Sequence, residues 1–117
     1  GADVLPFMVS RLPADVQKNV AGVVLLSPSK SADFQFHVSD WLGSDEGSPN
    51  ELLPELAKIR ALPLLCIYGE EESDDTVCTD VVENQSTKVV RLPGDHHFDG
   101  DNTAVTALML SQFPVRR

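Results

Sequence analysis

The stretch LPLLCIYGE, residues 62–70, decides the fold of this chain. Its apolar run ends at Gly69 and is typical of a strand buried on both faces of a sheet, which we place at 63–68. The run VVLL at 23–26 predicts a second strand of this kind, and TKVVRLP at 87–93 predicts a third. Such continuous burial is a property of parallel sheets that helices cover on both faces.

The segments between these strands have helical patterns. ADVLPFMVSRL, residues 2–12, has apolar residues at helical spacing, and Pro6 is tolerated only in a first turn, so this helix should begin near Ala2. PADVQKNV at 13–20 predicts a further short helical turn. SPNE at 48–51 has the form of a capping box and predicts a helix of about three turns. The apolar side of that helix comprises Leu52, Leu53, Leu56, Ile59 and Leu62.

Two more helices are predicted toward the end of the chain. A short one is expected over 75–83, and a final one begins at a cap formed by Asp99 or Asp101. The inner face of the final helix is predicted to contain Val105, Leu108, Met109, Gln112 and Phe113. Residues 30–50 are polar with interleaved aromatic residues and predict a loop with a short strand at 33–38. Helices that alternate with buried strands predict an α/β fold, a three-layer sandwich of parallel strands flanked by helices.

Composition limits the classes of function. The 117 residues suffice for a single domain, and no apolar run approaches the length of a membrane span. The 18 acidic and 9 basic residues leave a net charge of -9, which argues against direct nucleic-acid binding and favours solubility. The two cysteines, Cys66 and Cys78, lack zinc-ligand spacing. The spacing alone leaves a disulfide and two unrelated buried thiols as equal alternatives.

Polar loops follow two of the predicted strands. Acidic residues come after 63–68, and His96 and His97 follow the third strand. Loops at the carboxyl ends of parallel strands form the sites of such folds, and an acid beside an imidazole is two thirds of a Ser-His-acid triad. The chain order nucleophile, acid, histidine is that of the α/β-hydrolase fold. The opening GADVLPF suggests that Gly1 closes a G-x-S-x-G elbow, which places the expected serine two residues before it.

Four motifs carry a resemblance to a known family. GADVLPFMVSRLP, FHVSDWLG, LLCIYGEEESDDTVC and LPGDHHFDGD resemble the bacterial virulence protein family VirJ/AcvB, an α/β-hydrolase group, over nearly the whole chain. The resemblance implies that residues 1–117 are the C-terminal portion of such a domain, starting just after the nucleophile elbow. It also implies a periplasmic protein of Gram-negative bacteria that is linked to DNA transfer by type IV secretion. AcvB-like members look like hydrolases that remove the lysyl group from lysyl-phosphatidylglycerol.

The resemblance also assigns roles to residues. His97 matches the G-x-x-H-F histidine and is expected to be the catalytic base. Glu72 matches the acid of G-x-x-acid after the strand, with Asp74 or Asp75 as alternatives. Gly1 is the elbow residue, and the serine itself has no counterpart in these residues, so 1–117 alone should be inactive.

Several expectations concern neighbours and partners. A periplasmic setting favours the disulfide between Cys66 and Cys78, which would pin the acid-bearing loop between them. His96 is expected to be structural or to line the site. A His-His metal site with Asp95, Asp99 and Asp101 nearby is the alternative, and it is disfavoured because adjacent side chains rarely point the same way. His37 is expected to be a surface or loop histidine, with contact to the substrate as the alternative, and Trp41 to belong to the core or to a lid.

The expected partners are a lipid head group at a membrane surface and proteins of a secretion system, with no cofactor. A second copy of the chain, associating through an exposed sheet edge, is a further expectation. The alternative to a hydrolase is a non-catalytic periplasmic adaptor that binds secretion substrates or pilus components. The acid and histidine at successive strand ends favour the enzyme, because an adaptor does not require them.

Overall fold

A computed structural model describes residues 1–32 and 50–113. Its central element is a three-stranded parallel sheet, consisting of β1 (Val23–Leu26), β4 (Leu64–Gly69) and β5 (Thr87–Leu92) in that spatial order. The register pairs Leu25 of β1 with Cys66 of β4, and Cys66 with Val89 of β5. The prediction of an α/β fold with parallel strands is confirmed.

Four helices surround this sheet in the described residues. They are α1 (Leu5–Ser10), α2 (Ala14–Gln17), α3 (Leu52–Lys58) and α4 (Asn102–Gln112). Two short antiparallel strands, β2 (Ser31–Ala32) and β3 (Asn50–Glu51), pair with each other beside the sheet. Within the described ranges 1–32 and 50–113, no helix has both the length and the apolarity that crossing a membrane requires.

The sheet separates two apolar clusters, as the period-two alternation of a strand requires. Leu64 and Cys66 of β4 pack with residues of α1 and α3 on one face, whereas Leu65 and Ile67 pack with Phe98 and α4 on the other. The predicted inner face of α4 is confirmed in part, because Val105 is buried and Leu108, Met109 and Phe113 pack against the second cluster. The molecule is therefore built in three layers, with helices on both faces of the sheet.

Burial on both faces holds for β4 but not for β1. All residues of β4 except Tyr68 are buried, whereas Leu26 of β1 is 39% exposed and Val24 is half-buried. The difference follows from position, because β4 has a neighbour on each side and β1 has only one in the described sheet. An apolar run of four residues does not distinguish these two positions.

Two predicted helix starts are wrong. The helix α1 begins at Leu5, because Gly1 to Val4 form a turn in which the Gly1 carbonyl accepts from the N–H groups of Val4 and Leu5. The helix α3 begins at Leu52 and spans only 7 residues, because Asn50–Glu51 is extended and pairs with β2. The helix therefore starts after the predicted capping box, whose Ser48 lies outside the described residues.

The helix predicted over 75–83 is also wrong. Only one 3-10 turn, Val77–Asp80, forms there, and Val81 is already extended. Cys78 is held from both sides, by a disulfide to Cys66 and by a bond from its N–H to the Thr76 hydroxyl (3.2 Å). The disulfide and this hydrogen bond fix the backbone at Cys78, so only the single turn Val77–Asp80 forms. The predictions for 33–38, His37 and Trp41 lie outside the described residues.

Candidate functional site

Two loops meet at the carboxyl ends of β4 and β5. The acid loop, residues 70–78, follows β4 and opens with a 3-10 turn at Glu70–Glu72. The histidine loop, residues 93–101, follows β5. The Glu71 N–H donates to the Gly94 carbonyl at 3.0 Å, so the backbones of the two loops are joined directly.

Gly69, at the end of β4, permits this close approach. Its backbone is extended, with φ of -80°, so no unusual conformation demands a glycine. A Cβ at this position would overlap the carbonyl oxygens of Asp95 and Gly94. Only a residue without a side chain lets the histidine loop lie against the strand end.

The acid loop is held at both ends. The disulfide predicted between Cys66 and Cys78 is present, with both residues buried, and it closes a loop that contains the acidic residues. The hydroxyl of Thr76, another buried residue, donates to the Pro28 carbonyl at 2.6 Å. The loop is therefore tied covalently to β4 and by a hydrogen bond to the segment that follows β1.

Glu72 is the carboxylate that points toward the histidine loop. Its Oε2 accepts from the Gly69 N–H at 3.2 Å, which leaves Oε1 facing His96 at 4.0 Å from Nδ1. The Glu72 side chain is 21% exposed, whereas Asp74 and Asp75 are exposed. Of the three predicted acids, Glu72 is therefore the one that the structure places beside an imidazole.

The histidine loop turns sharply over a buried anchor. Phe98 and Asp99 both have φ of 54°, a left-handed conformation that is uncommon outside glycine, and Phe98 is buried in the second apolar cluster. The Asp95 Oδ1 accepts from the His97 N–H at 2.8 Å and closes the turn. This hydrogen bond is the largest influence on the pKa of Asp95 and lowers it. Desolvation opposes the change, smaller electrostatic contributions from His97 and His96 add to it, and the pKa lies below its ordinary value of 3.8.

The turn brings the two imidazole rings together. The ring centroids of His96 and His97 lie 3.9 Å apart with an angle of 42° between the ring planes. The expectation that adjacent side chains point apart does not hold here, because the backbone bends on both sides of the two histidines, at Gly94, with φ of 93°, and at Phe98, with φ of 54°. One ligand atom each from Asp95, His96 and His97 lie within 4.8 Å of one another.

The start of the chain lies at the same edge of the sheet. The Asp3 Oδ1 accepts from the Ser29 N–H at 2.7 Å, which ties the first turn to the segment beyond β1. Gly1 is exposed and opens that turn through its carbonyl. The turn that begins at Gly1 and the two loops thus lie at the same edge of the sheet, and the ring that Glu72 Oε1 approaches is that of His96, the neighbour of the predicted base His97.

One apolar groove of the described residues lies away from this edge. It has a volume of about 420 Å³ and runs between α3 and the starts of β4 and β5, where Leu64 and Thr87 line it. It contains no histidine, and it lies at the end of the sheet opposite to the two loops. We therefore place the candidate site at the loops, where titratable side chains converge.

The buried charged residue outside this edge has a structural role. Glu55 of α3 is buried and accepts from Arg11 at 2.5 Å, and Lys58 lies 3.0 Å away. Burial raises the pKa of Glu55, but the hydrogen bonds and charges of Arg11 and Lys58 outweigh it and leave the pKa below its ordinary value. This network joins α1 to α3 and does not reach the loops.

The comparisons with known proteins give one positive result. The family described as bacterial virulence protein (VirJ) has a sequence model that matches residues 1–117. No curated protein matches the chain, and no solved structure does. The match covers all of the given residues, including both loops of the candidate site. The chain therefore belongs to the bacterial virulence protein (VirJ) family.

Proposed function

We propose that the intact protein is a periplasmic serine hydrolase that cleaves an aminoacyl ester such as lysyl-phosphatidylglycerol. The observation that supports this is the approach of Glu72 Oε1 to within 4.0 Å of His96 Nδ1, between loops that follow neighbouring parallel strands. An acid and an imidazole that meet at this edge form the second and third members of a triad in the order of the α/β-hydrolase fold.

In this proposal the imidazole takes the proton of the serine expected ahead of Gly1, and the serine oxygen attacks the ester carbonyl. The imidazole then returns the proton to the departing alcohol, and water completes the hydrolysis in a second cycle. In this proposal Glu72 stabilises the imidazolium that forms. The family motif assigns the role of base to His97, whereas Glu72 approaches the ring of His96, which lines the site 3.9 Å from the His97 ring.

The charge of the site supports a cationic substrate. Glu70, Glu71, Asp74 and Asp75 surround Glu72 in sequence and are exposed. A site rimmed by carboxylates attracts a lysyl group, which has two amines, more strongly than a neutral acyl group. The substrate is a lipid head group, so the protein works at a membrane surface. A link to type IV secretion completes the proposal, which extends the family's association with virulence.

The test is active-site labelling. We expect a fluorophosphonate to label the intact natural protein on a serine two residues before the present Gly1, and His97→Ala to abolish the label. His96→Ala is the matched variant, because it removes the neighbouring ring. Loss of label in His96→Ala and retention in His97→Ala would transfer the role of base to His96.

The acid and the substrate need separate tests. Glu72→Gln should lower the esterase rate by up to about 10⁴-fold, as expected for loss of the triad acid, and Asp74→Asn compares the alternative acid. Equal rates on lysyl esters and neutral esters would contradict the cationic substrate. The absence of any label on folded protein would favour a periplasmic adaptor instead.

A further inference from the structure

We propose that Asp95, His96 and His97, together with Glu72, bind a divalent transition-metal ion of the zinc type. The three residues of the histidine loop already bring one ligand atom each to within 4.8 Å of the others. Ligands of a tetrahedral zinc ion lie about 2.0–2.2 Å from the metal, so at the tetrahedral angle any two of them are about 3.3–3.6 Å apart. The ligand atoms, spread over up to 4.8 Å, must therefore approach one another by roughly 1 Å to share one ion.

The remaining adjustment falls on side chains that can move. His96 and His97 are both exposed, and their rings are free to rotate about the side-chain bonds without displacing the core. The backbone beneath them is fixed by Phe98, which is buried. A rigid turn with adjustable rings allows the nitrogens to close around an ion while the fold stays unchanged.

Glu72 provides a fourth ligand from a different loop. Its Oε1 faces His96 at 4.0 Å, and its Oε2 is held by the Gly69 N–H. That hydrogen bond orients the carboxylate, as partners of metal ligands commonly do. Asp95 is oriented in a similar way, because its Oδ1 accepts from the His97 N–H and its second oxygen can face the ion.

The charge and chemistry of this set select the metal. Two carboxylates and two neutral imidazoles carry two negative charges, which match a divalent cation. Imidazole nitrogen favours Zn²⁺, Ni²⁺ or Cu²⁺ over Mg²⁺ and Ca²⁺, which prefer oxygen ligands. The cysteines are unavailable as ligands, because both are engaged in the disulfide.

Metal binding would regulate the activity, and this part of the inference rests on the proposed function. A ring nitrogen that coordinates a metal has donated its lone pair and no longer accepts a proton from a serine. Bound zinc should therefore inhibit ester hydrolysis reversibly, and a chelator should restore the rate. Zinc would then be a reversible inhibitor that binds at the site and not a cofactor of the reaction.

The first experiment measures binding without reference to catalysis. The protein is freed of metal with a chelator and titrated with Zn²⁺ by calorimetry, and Co²⁺ serves as a spectroscopic probe. We expect the protein to bind one Zn²⁺ ion per chain. Mg²⁺ should bind much more weakly than Zn²⁺ in the same titration. His96→Gln and Glu72→Gln should each weaken Zn²⁺ binding by at least about 10-fold, the smallest effect seen when even an outer partner of a metal ligand is lost.

Asp15→Asn is the matched control, because Asp15 is an exposed acid on α2, away from both loops. Its Zn²⁺ affinity should equal that of the unaltered protein, and circular dichroism should show that every variant is folded. Equal Zn²⁺ affinity in folded His96→Gln and in the unaltered protein would overturn the proposal, as would the absence of binding.

The two proposals fail in different ways. Zinc binding by a protein that fluorophosphonate does not label would leave the metal site intact and contradict the hydrolase. Hydrolysis by a protein that does not bind zinc would contradict the metal site alone. Zinc that binds without slowing hydrolysis would contradict the regulatory part.

Discussion

The acid loop and the histidine loop lie side by side but are stabilised in different ways. The acid loop is closed by the Cys66–Cys78 disulfide and is tied to the segment after β1 through Thr76, so covalent and buried contacts hold it. The histidine loop has no disulfide, and it depends on burial of Phe98, on contact with Gly69 and on hydrogen bonds, among them those of the Asp95 carboxylate and the Gly94 carbonyl. A site built from these loops therefore combines a fixed carboxylate with imidazoles on an exposed turn.

The largest expected effect comes from opening the acid loop. Replacing both Cys66 and Cys78 with Ala should lower the free energy of unfolding by about 3 kcal/mol, the usual contribution of a disulfide that closes a loop of this size. Urea unfolding of the intact natural protein measures the change, and the unaltered protein unfolded with a reductant is the control. An unchanged midpoint would show that the buried contacts alone suffice to hold the loop.

The next effect comes from separating the two loops. Gly69→Ala should cost about 1–3 kcal/mol, because the added methyl overlaps the carbonyls of Asp95 and Gly94 and must displace the histidine loop. Gly100→Ala is a useful comparison, since Gly100 has open space around it but a φ of 72°, so its cost comes from the backbone alone. Chemical shifts of the His96 and His97 rings should move in Gly69→Ala. Unmoved shifts would contradict the close approach.

The end of the histidine loop is stabilised by a helix cap. The Asp101 carboxylate accepts from the Ala104 N–H at 3.0 Å at the start of α4. Asp101→Ala should lower the free energy of unfolding by about 1 kcal/mol, and Asp101→Asn should retain most of the stability, because asparagine also caps helices. Thermal unfolding compares the two variants. Equal losses in both would indicate that the charge matters and the cap does not.

The smallest effect concerns the turn bond of Asp95. The pKa of this carboxyl is lowered in the folded protein, so its contribution to stability is present above the ordinary value of 3.8 and is lost as the pH falls through the folded value. The His97 amide resonance should therefore shift at a pH below 3.8. An NMR titration checks this, and Asp95→Asn should remove the transition. A midpoint above 3.8 would contradict the hydrogen bond.

The sequence alone determined the α/β class, the three parallel strands and the positions of the two polar loops that follow β4 and β5. The spacing of apolar residues and the length of apolar runs indicate the type of each element, because they reflect which of its residues are buried. The positions of helix starts were harder to predict, since the pairing of Asn50–Glu51 with β2 is a contact between distant residues that displaces a local capping signal. The same limit applies to Val77–Asp80, where the disulfide and the Thr76 bond override a helical pattern.

Only the tertiary structure decided which groups meet at the site. The sequence placed acids after β4 and histidines after β5, but it left Glu72, Asp74 and Asp75 as alternatives. Glu72 reaches His96 because its carboxylate bonds to the Gly69 N–H, and the two rings meet because the turn over Phe98 bends the backbone beneath them. Side-chain direction depends on contacts between loops that are far apart in the chain, and such contacts leave no periodic signal in the sequence.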